Sequence, residues 1–325
     1  MRKRISWLVS LLVLTGLVAL AARTVDWGEA LRAASSAHPL LVMGAMVLNT
    51  GILVLTAAQW VVFLPSGLRV PPRRMFEAVA ITSLFSNSAP PGAGHVATVH
   101  YVPSRGGVSH SVGLSILFLD QLAEGVAKLT LIGAALLWVP VGLEFRIVAA
   151  TLLTVVPALA LSLIVLAHRG DFLERRAAQA TGWLAAPLRL AGTIAKNLEA
   201  LRHPRVFGQG VLLSWAQKLC EGLAIGLIVA SLGIEIPVWG VLGLLVAVTL
   251  STTIPLMPAN LGVYEGAAFL VLRALGVEAD AALGVALVMH MAYLVPMAGI
   301  GWLIVALRPL TGDAANDGSG GSKLP

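Results

Sequence analysis

The chain has 325 residues, of which 58% are hydrophobic and only 12% charged, whereas soluble domains average roughly 25% charged residues. This composition excludes an ordinary soluble domain and predicts an all-α integral membrane protein. The net charge of +6 does not indicate nucleic-acid binding, because the cations concentrate in short segments between apolar runs. The single cysteine, Cys220, excludes an internal disulfide and a thiolate metal cluster, and we expect no metal and no cofactor.

Six apolar runs are long enough to cross the hydrocarbon core, which takes about 20 residues. The first, 5–22, follows Arg2, Lys3 and Arg4, a pattern that a cleaved signal peptide shares. We favour a retained helix, because the sequence after the run is a poor cleavage site. The other five predicted crossings are 40–64, 113–139, 147–167, 206–232 and 281–307.

Two pairs of shorter apolar runs each flank a stretch rich in proline and glycine. The runs 76–88 and 95–102 flank SNSAPPGAGH, and the runs 238–250 and 261–275 flank the stretch that contains STTIPLMPANLGVYE. At membrane depth, such backbone is tolerated only where it is buried in protein or lines a wet cavity. We interpret each pair as a re-entrant helical hairpin, although the second pair could instead be two tilted full spans.

The distribution of basic residues predicts which loops face the cytoplasm. The segments 65–75 and 168–205 are rich in Arg and Lys, whereas 140–146 is neutral. The positive-inside rule then places both termini on the cytoplasmic side of the cell (inner) membrane. The two hairpins would enter from opposite sides, which predicts an inverted repeat. We divide the chain into a membrane domain, 1–310, and a flexible cytoplasmic tail, 311–325.

The basic segment 170–203 also contains regularly spaced apolar residues. This mixture favours one or two amphipathic helices lying at the membrane surface, and the alternative is a solvated connector. Tryptophans near predicted span ends indicate an aromatic belt that anchors the protein at the two interfaces; they are Trp7, Trp27, Trp60, Trp138, Trp239 and Trp302.

Ionisable residues within predicted spans are the strongest site candidates, since each costs on the order of 3 kcal/mol or more at the bilayer centre. Asp120, Glu124 and Lys128 recur every four residues and share one helix face. The polar residues Gln217, Lys218, Glu221 and His290 lie in later spans. They could line a groove for a lipid headgroup or carry a coupling proton. Alternatively, the charges neutralise one another between packed helices, and His290 bonds a neighbouring carbonyl.

The broken stretches supply a second group of candidates. Proline removes a backbone donor and glycine lets backbones approach, so half-helix N-termini should present free N–H groups to a phosphate or carboxylate. Glu265 could instead cap its own helix. The candidate substrate-binding residues here are Pro91, Gly92, Gly94, His95, Pro258, Asn260, Gly262, Tyr264 and Glu265.

Several of these segments resemble one known family. PANLGVYEGAAFLVLRALGV and the later ALVMHMAYLVP resemble the flippase-like membrane domain best known from lysylphosphatidylglycerol synthases. PPGAGH and RGGVSHSVGLSILFLDQLAEG resemble that family's first repeat, so the similarity covers about 76–307. The resemblance implies a lipid-translocating fold with re-entrant elements, associated in different members with aminoacylated phospholipids, polyprenyl-linked sugars or hopanoid-type lipids. We expect a stand-alone membrane member without the synthase domain.

Four positions depart from the family pattern. The chain has His95 where an acid is common, Thr98 where a basic residue is common, Gln121 where an arginine follows the acid, and His290 where arginine is usual. Fewer fixed cations argue against an aminoacyl-phosphatidylglycerol substrate and leave the lipid open.

The sequence therefore predicts a lipid flippase or transporter that moves an amphiphilic lipid between leaflets. No nucleotide-binding loop is recognisable, so ion coupling or downhill flow would drive transport. The alternative is a non-transporting membrane partner of a lipid-modifying enzyme or glycosyltransferase. An intramembrane enzyme is disfavoured, because no catalytic group has recognisable spacing. The expected partners are membrane lipids and, in the alternative, such an enzyme; the oligomeric state is open.

Overall fold

The computed structural model describes residues 28, 32, 35–89, 92–138, 143–179, 185–253 and 258–307. Within these ranges the chain is helical, with no β-strand. The expected all-α class is therefore confirmed for the described part of the chain. The predicted first span, 5–22, and the tail, 311–325, lie outside the described residues.

The helices follow the chain as α1 to α11, with short 3₁₀ turns at Glu199–Arg202 and Pro258–Asn260. Proline occupies a first-turn position in α1, α2 and α8, where its missing N–H costs no hydrogen bond. The bounds are α1 Pro39–Val62, α2 Pro72–Ser88, α3 Ala93–Gly106, α4 His110–Trp138, α5 Leu143–His168, α6 Gly170–Gln179, α7 Ala185–Asn197, α8 Pro204–Ser231, α9 Val238–Thr253, α10 Val263–Ala274 and α11 Ala279–Leu307.

Three of the described helices, α1, α8 and α11, are long and apolar enough to cross a membrane. The protein is therefore an integral membrane protein. Helix α4 has 29 residues, long enough to cross, but it carries Asp120, Glu124 and Lys128. These three charges distinguish α4 from a helix that faces only lipid, because ionisable side chains in a span turn towards the protein interior or a wet cavity.

Four shorter helices border the two broken stretches. Helices α2 and α3 have 17 and 14 residues, and α9 and α10 have 16 and 12. At 1.5 Å per residue, none reaches the roughly 30 Å of a hydrocarbon core. The second helix of each pair begins after a glycine with positive φ, 85° at Gly92 and 79° at Gly262, a conformation that favours glycine.

The helix contacts repeat between the two halves of the chain. Helix α1 packs against α8, the first hairpin helix α2 packs against α11, and the corresponding helix α9 packs against α4. Likewise α1 contacts α11 as α8 contacts α4, and α3 contacts α4 as α10 contacts α11. If α1, α2, α3 and α4 are exchanged for α8, α9, α10 and α11 in that order, the same pairs of helices are in contact. Each hairpin is thus held by the long helix of the other half.

The connector between the halves contains the helices α6 and α7, which pack together, and α7 also packs against α4 and α5. Two of its apolar side chains, Ile194 and Leu198, are buried against protein, whereas Phe172 and Leu190 are exposed. The connector is helical, as expected. Part of its apolar surface is covered by the protein itself, where we expected lipid.

The belt interpretation is wrong for Trp60. Its side chain is buried, and its indole Nε1–H donates to Asp120 Oδ1 at 2.8 Å. Trp239 and Trp302 are exposed, as belt residues are. Trp7 and Trp27 lie outside the described residues, and so does the side chain of Trp138. The position of Trp60 along α1 suggested a belt, but the rotation of α1 about its axis turns this side chain towards α4 and α8. Leu53 and Ala57 lie on the same buried face of α1.

Candidate functional site

A polar cavity of about 260 Å³ lies between the two halves of the molecule. Residues at both ends of the first broken stretch line it, namely Ser86 and Asn87 at its start and His95 at its end. Thr252 and Tyr264, near the two ends of the second broken stretch, line the same cavity. Both broken stretches therefore border the same cavity, because each hairpin packs against the long helix of the opposite half.

The charged residues of α4 and α8 form one wall of this cavity. Glu124 lines it and forms an ion pair with Lys128, whose Nζ is 2.9 Å from Glu124 Oε1. Lys218 and Glu221 line it and form a second pair, with Nζ and Oε2 2.7 Å apart. The four charges therefore neutralise one another in two ion pairs, which was the alternative to a binding role. Three of them, Glu124, Lys218 and Glu221, also line the cavity.

Asp120 differs from its neighbours because its hydrogen-bond partners are neutral. Its Oδ1 accepts from Trp60, and its Oδ2 accepts a longer bond from Gln121 Nε2 at 3.4 Å. No cation among the described residues forms an ion pair with it, and both Asp120 and Gln121 line the cavity. An unpaired carboxylate at membrane depth is costly, so Asp120 is a group that a proton or a cationic ligand would stabilise.

The second hairpin is closed by a carboxylate that makes two bonds. Glu265 Oε2 accepts from the Gly262 N–H at 2.7 Å, and its Oε1 lies 2.7 Å from Nδ1 of the buried His290. Glu265 therefore caps α10, as the alternative held, and also joins α10 to α11. The alternative of a carbonyl partner for His290 does not hold at Nδ1, because this atom meets the Glu265 carboxylate. The Tyr264 ring stacks on His290 with centroids 4.5 Å apart.

The two hairpins place an acid and a histidine at equivalent positions but in opposite order. His95 lies three residues after the N-cap Gly92, and Glu265 lies three residues after the N-cap Gly262. His290 follows Glu265 by 25 residues, and Asp120 follows His95 by the same interval. In the second half the pair is closed and lies off the cavity; in the first half both members line the cavity.

Of the remaining candidates in the broken stretches, only Gly94 lines the cavity among the described residues. Gly92 and Gly262 are helix N-caps, and Gly94 contributes to the lining. Asn260 belongs to the 3₁₀ turn that contacts α2, and Pro258 begins that turn. Pro91 lies outside the described residues. The cavity wall thus includes Gly94, His95, Asp120, Glu124, Gln217, Lys218, Glu221 and Tyr264 from the predicted set.

Other cavity residues were not predicted from the sequence. Tyr293 could have been found, because it lies one turn after His290 on the same helix face. The polar run Ser86–Ser88 before the first break was a similar signal. The sequence around Trp60 contained no comparable signal, because only packing shows that it lies on the buried face of α1. The unpredicted polar and aromatic lining comprises Thr56, Trp60, Thr82, Ser83, Ser86, Asn87, Thr98, Gln121, Thr252 and Tyr293.

Comparison with known proteins agrees with the sequence resemblance. A search of curated protein sequences gave no match to the chain. The family model described as "Lysylphosphatidylglycerol synthase TM region" matches residues 7–301, which include both hairpins and every cavity residue. The chain therefore belongs to the lysylphosphatidylglycerol synthase transmembrane-region family.

Proposed function

We propose that this protein moves an amphiphilic lipid between the leaflets of the cell membrane, with the lipid headgroup passing through the polar cavity. The observation that carries the proposal is that both broken hairpins border one cavity lined by paired and unpaired charges. Broken helices that meet at a shared polar site are the hallmark of membrane transport sites. Family membership supports the proposal, because it relates the chain to lipid-handling membrane domains.

The size of the cavity favours a headgroup over a whole lipid. Pockets that enclose drug-sized molecules measure roughly 300–1,000 Å³, and this cavity measures about 260 Å³. A phosphate with a small polar substituent suits that volume, whereas two hydrocarbon chains do not. The chains would therefore remain in apolar surroundings while the headgroup crosses.

One part of the wall suits an anionic group, and the acids of the same wall suit hydrogen-bond donors on the rest of the headgroup. Lys218 supplies a cation, and the N-terminus of α3, where Gly94 and His95 line the cavity, supplies a partial positive charge. Asp120 and Gln121 supply an acceptor and a polar amide for the rest of the headgroup. The lipid class we propose is a phospho-, polyprenyl- or hopanoid-type amphiphile.

We also infer that the two halves form an inverted repeat of α1–α4 and α8–α11. The exchanged helix contacts and the equal spacing of the two acid–histidine sets support this inference. In such an arrangement, transport exchanges the conformations of the two halves. The closed Glu265–His290 pair would open as His95 and Asp120 approach each other.

Leaflet exchange in vesicles tests the proposed transport. Vesicles containing the full chain should exchange fluorescently labelled phosphatidylglycerol, scored by a membrane-impermeant quencher, faster than protein-free vesicles. Lys218→Gln should slow the exchange about tenfold or more, because it leaves Glu221 without its cation beside the headgroup. Lys196→Gln removes an exposed cation of α7 that does not line the cavity and should leave the rate unchanged.

The same assay can be repeated with polyprenyl-phosphate and hopanoid probes. Failure of the wild-type chain to accelerate any of the three probe classes would contradict the transport proposal and favour a partner role beside a lipid-modifying enzyme. Equal rates for Lys218→Gln and Lys196→Gln would contradict the role of the cavity.

A further inference from the structure

Two apolar grooves adjoin the polar cavity. The first, of about 360 Å³, lies between α3 and α4 and is lined by Val96, Val99 and Leu117 together with the carbon surfaces of His95, His100 and His110; we call it the α3 groove. The second, of about 420 Å³, lies between α4, α8 and α9, and Leu131, Leu219 and Leu242 are part of its wall; we call it the α9 groove. Neither groove holds the carboxylates of the cavity.

Each groove shares wall residues with the cavity. His95 and Leu117 line both the cavity and the α3 groove. Lys218 lines both the cavity and the α9 groove. A polar side chain thus stands at each junction, with apolar surface on one side of it and the polar cavity on the other. This is the distribution of polarity found along a membrane lipid, from headgroup to chain.

The two grooves lie at different depths along α4. Leu117 of the α3 groove and Leu131 of the α9 groove are about 20 Å apart along the helix axis at 1.5 Å per residue. This separation exceeds half of the roughly 30 Å thickness of a hydrocarbon core, so we assign the two grooves to opposite halves of the membrane that α4 would cross. Glu124, midway between these leucines, lines the cavity. The order along α4 is therefore groove, polar cavity, groove.

Both grooves are bordered by side chains that face away from the protein. Val96 is 71% exposed in the α3 groove, and Val238 is 87% exposed in the α9 groove. The grooves are therefore open on the outer surface of the protein, and we assign this surface to the acyl region of the two leaflets.

We propose that the α3 groove and the α9 groove bind the hydrocarbon chain of the lipid whose headgroup occupies the cavity, one groove serving each leaflet. This inference rests on the proposed function. A headgroup cannot cross unless its attached chain has an apolar path at both ends, because exposing a chain to a polar cavity loses about 0.8 kcal/mol per CH₂ group. The shared residues His95 and Lys218 mark where the headgroup enters and leaves.

Photo-cross-linking tests chain binding without requiring transport. The full chain is placed in vesicles that contain phosphatidylglycerol with a diazirine in the middle of one acyl chain, irradiated, digested and analysed by mass spectrometry. Adducts should be enriched on Val96, Val99, Leu219 and Val238. Leu212 and Leu270, which are 67% and 68% exposed outside the two grooves, are the reference. Equal adduct yields at groove and reference positions would overturn the proposal.

Filling each groove tests whether the bound chain belongs to the transported lipid. Ala216→Trp places an indole in the α9 groove and Val99→Trp places one in the α3 groove. Each variant should lose its own cross-links and exchange labelled phosphatidylglycerol about tenfold more slowly. Leu212→Trp adds the same ring to an exposed face of α8 and should match the wild type, which controls for folding.

The two assays separate this proposal from the transport proposal. Suppose that the wild-type chain exchanges lipid and that either filled variant does so at the wild-type rate. The groove proposal is then overturned, and the transport proposal stands. If no exchange occurs with any probe, transport fails. In that case groove-specific cross-links that filling abolishes still show chain binding, and their absence overturns the grooves as well.

Discussion

Glu265 bears two structural tasks, capping α10 and joining it to His290 of α11. Replacement by glutamine preserves the shape but removes the charge, so we predict that Glu265→Gln lowers the free energy of unfolding by about 1.5–3 kcal/mol, the range for hydrogen bonds to charged groups. Thermal unfolding of the detergent-solubilised protein measures this. Glu278→Gln, an exposed carboxylate after the same hairpin, is the matched control and should change little.

A double-mutant cycle isolates the Glu265–His290 bond from the cap. If the two side chains interact directly, the destabilisation of Glu265→Gln and His290→Gln combined should be smaller than the sum of the two single changes. Strict additivity would show that the bond contributes nothing. Glu265→Gln would then act through the cap alone.

At the scale of elements, α11 approaches α2 through Gly301. A Cβ atom at Gly301 would overlap the Ala80 carbonyl oxygen and the Leu84 Cβ, whereas one at Gly299 would meet nothing within 4 Å. We therefore predict that Gly301→Ala lowers the free energy of unfolding by about 1–3 kcal/mol through overpacking. Gly299→Ala should be neutral or stabilising by up to about 1 kcal/mol, because alanine favours helix.

Comparison of the two glycine variants by thermal unfolding decides this prediction. An unchanged melting temperature for Gly301→Ala would mean that α2 and α11 are further apart than described. Gly299→Ala reports the intrinsic helix effect on the same helix, so the difference between the variants measures the packing alone.

The loop after α1 is tied to the connector before α8 by a carboxylate outside the spans. The Ser66 N–H and hydroxyl both donate to Glu199 Oε2 at 2.9 Å, and these bonds hold the pKa of Glu199 below its usual 4.5. Because the folded-state pKa is depressed, the stabilisation is complete above the unfolded-state pKa and is lost as pH falls through the folded-state pKa. Since Glu199 is partly exposed, we expect it to contribute about 1 kcal/mol or less.

Unfolding measured between pH 7 and pH 3 tests this tie. Wild type should be more stable than Glu199→Gln at neutral pH, and the difference should shrink as the pH falls below about 4.5. His203 Nε2 lies 3.7 Å from Glu199 Oε1, so Glu199 has a second neighbour beside Ser66. A difference that is constant with pH would contradict the role assigned to Ser66.

For the whole molecule, the proposed hydration of the cavity between the halves makes a direct prediction. With the native Cys220 replaced by serine, Ser86→Cys in the cavity should react with a charged thiol reagent, since reaction requires a hydrated thiolate. Ser162→Cys, on an exposed face of α5 bordered by Leu161 and Val165, should react far more slowly because lipid surrounds it. If Ser86→Cys reacts as slowly as Ser162→Cys, the cavity is dry.

The sequence alone predicted the features that follow from local composition. Long apolar runs dictate helices, because backbone groups in lipid must bond within their own segment. Proline and glycine dictated the breaks, and α3 and α10 begin within a few residues of the expected positions. The intramembrane acids and bases were found for the same reason, since they stand out against apolar neighbours. The family resemblance was also evident from the hairpin segments and is confirmed.

Tertiary structure alone decided which of these residues meet. The burial of Trp60 against Asp120 depends on the rotation of α1 relative to α4, and spacing along one helix carries no information about that rotation. The Glu265–His290 pair and the exchange of hairpins between the halves depend on packing between residues far apart in the chain. The polar cavity exists because two interrupted helices are each held by the opposite half. Local sequence determines the interruptions, and only long-range packing brings them together.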